Sequence, residues 1–202
     1  MGHAITINKP LRLDKGDVFP GVLSYQCSGT PADCVKLAVN KVLHRKPDLL
    51  VSGINHGSNS SINVMYSGTM SAAMEGAIEG IPSIGFSLCN FSLDSDFTAA
   101  KHYVKIIAKN ILKIGLQEGT LLNVNFPYLP LSKIKGIKIC RQANAKWKEE
   151  FDERRDPNGK NYYWLTGRFV SKDQGEDTDV WALDNGYVSI VPVQYDLTHQ
   201  HG

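Results

Sequence analysis

A polar run, Ser52-Gly53-Ile54-Asn55-His56-Gly57-Ser58-Asn59, is followed by Tyr66-Ser67-Gly68-Thr69, and these two clusters hold the residue types best suited to chemistry in the chain. Asparagine offers a neutral carbonyl oxygen to a hard cation and amide donors to an anion. Hydroxyls and the free backbone N–H groups of a helix start suit a phosphate. The same residues are also ordinary turn and cap formers, with Gly53 and Gly68 permitting unusual dihedrals. Residue chemistry alone leaves both readings open. His56 could contact a substrate or move a proton, or could equally be a solvated loop histidine.

Several familiar chemistries are excluded by inspection. The Gly159-Lys160 pair has Arg154 where a phosphate-binding loop needs its first glycine, and no Gly-x-Gly-x-x-Gly follows a strand. Neither a Gly-x-Ser-x-Gly elbow nor a His-Glu-x-x-His zinc motif is present. The four cysteines, Cys27, Cys34, Cys89 and Cys140, lack the close pairs of a zinc site and read as reduced, mostly buried thiols, Cys34 and Cys89 in the core. His199 and His201 could approach a pocket, although chain ends fray by default.

The polar clusters need elements to hold them. Ala4 to Ile7 and Val18 to Tyr25 read as a short antiparallel pair around the turn cluster Asp14-Lys15-Gly16-Asp17. Thr30-Pro31-Ala32-Asp33 starts a helix reaching about Leu43, with a stripe of Val35, Ala38, Val39 and Val42. In that start Asp33 is the N-terminal carboxylate rather than a metal ligand. Asp48 to Gly53 has the pattern of a parallel strand buried on both faces, and ligands gather at the C-terminal ends of such strands. A small-residue helix from about Thr69 to Glu79, a strand from Ser83 to Leu88, an amphipathic helix within Asp94 to Gly115 and a strand from Leu121 to Phe126 continue an alternation that implies a parallel sheet covered by helices. The second helix places Phe97, Ala100, Val104, Ile107, Ile111 and Ile114 on one face.

Beyond Gly136 the pattern changes. Ile137 to Arg141 reads as a strand, Asn144 to Gly159 as a charged loop, Tyr162 to Leu165 as one arm of an aromatic hairpin, and Val180 to Val193 as a hairpin turning at Asp184-Asn185-Gly186. The expected fold is α/β, a Rossmann-like mostly parallel sheet with helices on both faces and an extended C-terminal hairpin region. One domain is expected over 1–202, with 1–143 and 178–202 as core and 144–177 as an extended arm. The aromatics Tyr162, Tyr163, Trp164 and Trp181 suit a subunit contact better than base stacking.

Composition narrows the class of protein. The 202 residues suit one domain, and 42% hydrophobic with 21% charged residues is ordinary for a globular chain, neither disordered nor membrane-embedded. Lys and Arg total 22 against 20 Asp and Glu, and the net charge of +2 cannot build the basic footprint of a dedicated nucleic-acid binder. The lysines and Arg141 between Lys133 and Lys148 are followed at once by Glu149, Glu150, Asp152 and Glu153, which reads as a solvated face. Nothing in Met1 to Asn8 resembles a signal peptide, so a cytoplasmic protein is expected.

Ser52-Gly53-Ile54-Asn55-His56-Gly57 with Asn59, then Tyr66-Ser67-Gly68-Thr69 and Ala72-Ala73-Met74-Glu75-Gly76, resemble the signature of the SurE family of 5′/3′-nucleotidases. Gly29 to Val35, Leu122-Asn123-Val124-Asn125-Phe126-Pro127 and the ending Asp184 to Thr198 are similar to that family's motifs too, so the likeness runs over essentially the whole chain. The resemblance implies a divalent-metal-dependent phosphomonoesterase acting on nucleoside monophosphates, and in some members on polyphosphate. By the same resemblance Asn55 is a metal ligand, and Asn59, Ser67, Gly68 and Thr69 are phosphate-pocket residues. The cofactor implied is Mg2+ or Mn2+, which would polarise the phosphoryl oxygen and carry the attacking water. The implied assembly is a homo-oligomer, dimer or tetramer, with the arm in the contact, and neither nucleic acid nor membrane is a partner. The family completes its metal site with an Asp-Asp pair and a serine ahead of the stretch similar to Met1–Ile7. This sequence contains no Asp-Asp pair. The expectation is therefore a chain without the N-terminal metal-binding segment and the C-terminal helix, weakly active or inactive alone. The alternative is a non-catalytic nucleotide or phosphate binder.

Overall fold

In the computed structural model, which describes residues 2–198, the strand Ser83–Leu88 (β4) is buried along its whole length. Its alternate residues face two different layers, as the pleat requires. Ile84, Phe86 and Leu88 pack with Val124 and Phe126 of β5 (Thr120–Phe126) and with Ala100, Ile107 and Ile111 of α3 (Thr98–Ile114). The Phe86 and Phe126 rings stack at 5.9 Å. Burying each such side chain stabilises by roughly 1.5–3 kcal/mol. On the opposite face Met70, Ala73 and Ala77 of α2 (Gly68–Ile78) cover Leu121. Gly85 lets α2 approach, because a Cβ there would collide with the Met70 sulfur.

The remaining elements are β1 (Leu13–Gly16), β2 (Ser24–Cys27), α1 (Pro31–Leu37) continued by a wider turn over Ala38–Val42, β3 (Leu50–His56), β6 (Ile137–Ile139), β7 (Ala145–Arg155), β8 (Asn161–Ser171), α4 (Asp179–Asp184) and β9 (Val188–Gln194). The main sheet has the order β3-β4-β5-β9-β6. β3, β4 and β5 run parallel, β9 is antiparallel to β5, and β6 is parallel to β9. This is an α/β, Rossmann-like, mostly parallel sheet with helices on both faces. β7 and β8 form a separate two-stranded sheet.

Several local expectations are corrected. Ala4–Ile7 forms no strand: Thr6 N–H goes to the Asp33 carboxylate, and Ile5 and Ile7 are exposed. The antiparallel pair is β1 with β2, so Asp14-Lys15-Gly16 is strand and the connection falls after it. The parallel strand expected over Asp48–Gly53 forms as β3, Leu50–His56, but among the described residues it is an edge strand bonded to β4 alone, and Val51 is consequently exposed rather than buried. Ile114 at the end of α3 is also exposed. Asn144–Gly159 is not loop but mainly β7. Its charges on both faces mask the alternation, and the long-range partners Phe169 for Trp147 and Leu165 for Phe151 supply what local sequence does not.

Asp184-Asn185-Gly186 does not turn a hairpin. Thr178 caps α4 by accepting the Trp181 N–H, and Asn185 and Gly186 (φ 82°) end that helix, glycine taking the left-handed region. Trp181 accordingly leaves the arm aromatics: it stacks on Tyr187 at 6.3 Å beneath the Lys138 ammonium at 4.4 Å. Cys34 is exposed, not core, and with Cys27 lines a surface cavity of about 320 Å³. Partial desolvation within that cavity, with the Cys27 thiol alongside, pushes the Cys34 thiol up to about 11. His199 and His201 lie outside the described residues.

Candidate functional site

The α2 face of the sheet changes character toward the strands' C-terminal ends. Leu121 is apolar, but Asn123 and Asn125, two and four residues on, share its face, as does Ser87 of β4. All three are buried, and a buried polar group must find partners. They find them in the loop after β3. Asn125 Oδ1 accepts the Asn59 N–H at 2.8 Å, Asn123 Nδ2 donates to the Asn59 carbonyl at 2.9 Å, Asn59 Nδ2 donates to Ser87 Oγ at 2.7 Å, and Asn125 Nδ2 donates to Asn123 Oδ1 at 2.9 Å. The signal lies in Asn-Val-Asn, two amides at strand spacing within an apolar run.

The loop is pinned at both ends. Gly57 N–H donates to the Leu88 and Asn90 carbonyls, each at 2.9 Å. Further on, Ser61 N–H donates to Asp179 Oδ2 at 2.7 Å, and Ala143 N–H donates to Asp179 Oδ1 at 3.0 Å. Ser61 Oγ donates to the Ala143 carbonyl at 2.8 Å. Asp179 thus ties the loop to the base of the β7–β8 arm, a role that nothing local in its sequence announces.

A 3-10 turn over Ser61–Tyr66 then delivers the chain to α2. Ser67 is the N-cap, its Oγ accepting the Met70 N–H at 3.0 Å, while the Ser71 N–H is bonded to the Ser67 carbonyl at 3.0 Å. Of the donors that a helix start leaves without internal partners, Gly68 and Thr69 N–H remain. The Ser67 hydroxyl uses a lone pair for its cap and keeps its own O–H to donate outward. Together with the helix dipole, this end of α2 is built to receive an anion.

Asn55 stands on β3, where Gly53 (φ 108°) precedes an irregularity in the β3–β4 register; a Cβ on Gly53 would strike the Phe86 carbonyl. Asn55 Nδ2 donates to the Gly57 carbonyl at 3.0 Å, which directs the other amide atom, the oxygen, away from that bond. His56 Nδ1 lies 2.8 Å from the Ser92 carbonyl, and since a carbonyl only accepts, Nδ1 carries the proton. Its ring meets Phe97 edge-on at 5.0 Å, so His56 holds the loop after β4. Ser67, Gly68 and Thr69 share the start of α2 and Asn55 lies on the strand leading to it, whereas the Asn59 amide donors point into the sheet.

A divalent ion fits these residues poorly. Among the described residues no group of three or more His, Cys, Asp or Glu converges to hold a metal. Asn55 offers one neutral oxygen, where a hard cation takes six or more and is ordinarily neutralised by carboxylates. Asp33 is committed elsewhere: it accepts Thr30 N–H at 2.8 Å and Thr6 N–H at 3.0 Å while Thr30 Oγ1 accepts its own N–H, a capping box. Burial pushes its carboxyl up, but these hydrogen bonds outweigh it and hold the group at about 2. Glu75, buried in α2, is occupied by Lys36 and by His3 Nε2 at 3.3 Å, and the Glu75 bond raises the Lys36 ammonium above its usual value. No helix among the described residues is long and apolar enough to cross a membrane.

Residues 1–149 match the family model described as Survival protein SurE. The chain is 63% identical over 202 residues to the 5'-nucleotidase SurE of Cytophaga hutchinsonii, spanning 99% of this chain and 78% of that protein. With the 5'-nucleotidase SurE of Christiangramia forsetii the identity is 62% over 203 residues, spanning 100% and 78%. The crystal structure of the SurE protein from Aquifex aeolicus superposes with a TM-score of 0.83 at 43% identity, over 98% of this chain and 79% of that one.

Proposed function

The chain belongs to the SurE family, and from that premise we propose that it hydrolyses the phosphomonoester of nucleoside 5′- and 3′-monophosphates. The observation that carries this is identity of 63% across 99% of this chain to a protein named as a 5'-nucleotidase, joined to an anion-ready helix start at the matching motif. The Gly68 and Thr69 N–H groups and the Ser67 and Thr69 hydroxyls take the non-bridging phosphate oxygens. Asn59 holds the loop that sets Ser67 in place through its bonds to Ser87, Asn123 and Asn125.

Mg2+ or Mn2+ is the cofactor the family implies, with Asn55 the ligand offered from this chain. Because the described residues do not fit an ion by themselves, no chemical step is assigned to it. Polyphosphate would meet the same donors. A homo-oligomer, dimer or tetramer, is supported by the exposed aromatics Tyr162, Tyr163 and Trp164 of β8, which lie outside the cleft at the arm's base, and the cytoplasm is the proposed compartment. The reading of 144–177 as an arm on a core of 1–143 and 178–202 rests on the separate β7–β8 sheet.

The test is phosphate release from AMP and GMP by the purified chain with Mn2+ or Mg2+, with and without a chelator. Weak but chelator-sensitive release is expected, weak because one neutral oxygen holds a cation loosely. No release under any of these conditions, together with failure of inorganic phosphate to displace GMP, would overturn the reading. Displacement by phosphate without release would favour a binder over an enzyme.

A further inference from the structure

The two faces of the β7–β8 arm differ. Register places Trp147 opposite Phe169, Glu149 opposite Gly167, Phe151 opposite Leu165 and Glu153 opposite Tyr163 on one face; the other carries the charges of Lys146, Lys148, Arg168, Glu150, Asp152 and Arg154 together with Val170, Trp164 and Tyr162. On the first face Gly167 leaves a gap between the Trp147–Phe169 pair and the Phe151–Leu165 pair. Gly167 sits at φ 135°, and a Cβ there would meet the Lys148 carbonyl, so the gap is fixed by the backbone. Asn63 and Tyr66, from the turn that leads into α2, close it into a cleft of about 500 Å³ lined also by Trp147, Glu149, Leu165 and Gly167. That volume is typical of a small-molecule site.

We propose that this cleft is the nucleobase subsite and that it favours guanine; the inference rests on the nucleotidase reading and names the substrate that reading leaves open. Tyr66 and Trp147 are large aromatics left 66% and 44% exposed, and Tyr66 directly precedes the Ser67 cap, so one wall of the cleft is the neighbour in sequence of the α2 start. Trp147 is oriented by its indole N–H, which donates to Asn63 Oδ1 at 2.9 Å. That bond consumes the Asn63 oxygen and leaves its amide nitrogen as a donor. The cleft therefore presents flat aromatic walls, one amide donor from Asn63 and one carboxylate acceptor from Glu149. Guanine complements this set, with O6 for the amide and the neighbouring N1–H and N2–H for the carboxylate. Adenine puts an acceptor, N1, where Glu149 needs a donor.

The experiment titrates the full chain with guanosine, GMP, AMP, ribose 5-phosphate and inorganic phosphate by calorimetry and tryptophan fluorescence. Guanosine alone is expected to bind, and GMP to bind more tightly than both AMP and ribose 5-phosphate. Trp147→Ala should weaken GMP about tenfold or more, the scale of one lost base–aromatic stack, without a matching loss for ribose 5-phosphate. Tyr66→Ala, which leaves the arm's cross-strand pairs intact, should do the same if Trp147→Ala proves unstable. Glu149→Gln should narrow the preference for GMP over AMP. Equal affinity for GMP and ribose 5-phosphate, or unchanged GMP binding in both aromatic variants, overturns the subsite; an unchanged GMP-to-AMP ratio in Glu149→Gln overturns the guanine assignment. Guanosine binding without any binding of phosphate or ribose 5-phosphate would leave the subsite standing and remove the phosphate reading instead.

Discussion

The Asp179 carboxylate accepts the Ser61 N–H at 2.7 Å across 118 positions of sequence, and the same side chain takes the N–H groups of Ala143 and Val180 at 3.0 and 2.8 Å. One fully buried group thereby fixes the loop ahead of α2 and the root of the arm in a single geometry. Replacing Asp179 by Ala strands two buried donors, Ser61 and Ala143 N–H, and the part-buried Val180 N–H, and should destabilise by about 3 kcal/mol. Urea denaturation would measure it, with Asp177→Ala as the exposed comparison, expected to shift the midpoint far less.

The amide network makes a similar prediction nearer the site. Asn59→Ala removes the donor to Ser87 and should cost about 2 kcal/mol, while GMP binding weakens because the loop to Ser67 loses its register. A fold as stable as the wild type, by thermal melting, would show that the network is dispensable.

Ser67 has two roles that one substitution separates. Aspartate is as good an N-cap as serine, so Ser67→Asp should keep folding stability within about 0.5 kcal/mol, yet its charge faces the phosphate. GMP affinity by calorimetry should fall at least tenfold. Unchanged affinity would place the phosphate elsewhere.

Asp33 predicts the acid limb of stability. Its carboxyl is held at about 2 in the folded chain, below its ordinary value of 3.8. A depressed folded value means that its contribution is complete above the ordinary carboxylate range and fades as pH falls from about 4 through 2. Denaturation midpoints against pH should drop across that window in the wild type and more shallowly in Asp33→Asn.

The parallel β3–β4–β5 core, α2 and α3 were legible because buried strands and amphipathic helices write their periods locally: Ser83–Leu88 matches to the residue. Ser67 and Thr30 were legible as caps for the same reason. What was missed depends on partners far away. β7 becomes a strand only against β8, Asp179 is an anchor only because Ser61 and Ala143 come to it, and Asn185-Gly186 ends a helix once Thr178 has started one. Asn59, expected in the phosphate pocket, gives its side-chain amide to Ser87, a partner that no neighbouring residue foretells.

The position of β9 between β5 and β6 bears on biosynthesis. Leu122 pairs with Pro192 and Ile137 with Val188, so the central layer stays open on one side until Val188–Gln194 has left the ribosome. Nascent chains halted before Val188 would expose the backbone edge of β5 and leave β6 without a neighbour, and such intermediates are substrates for chaperones and aggregation.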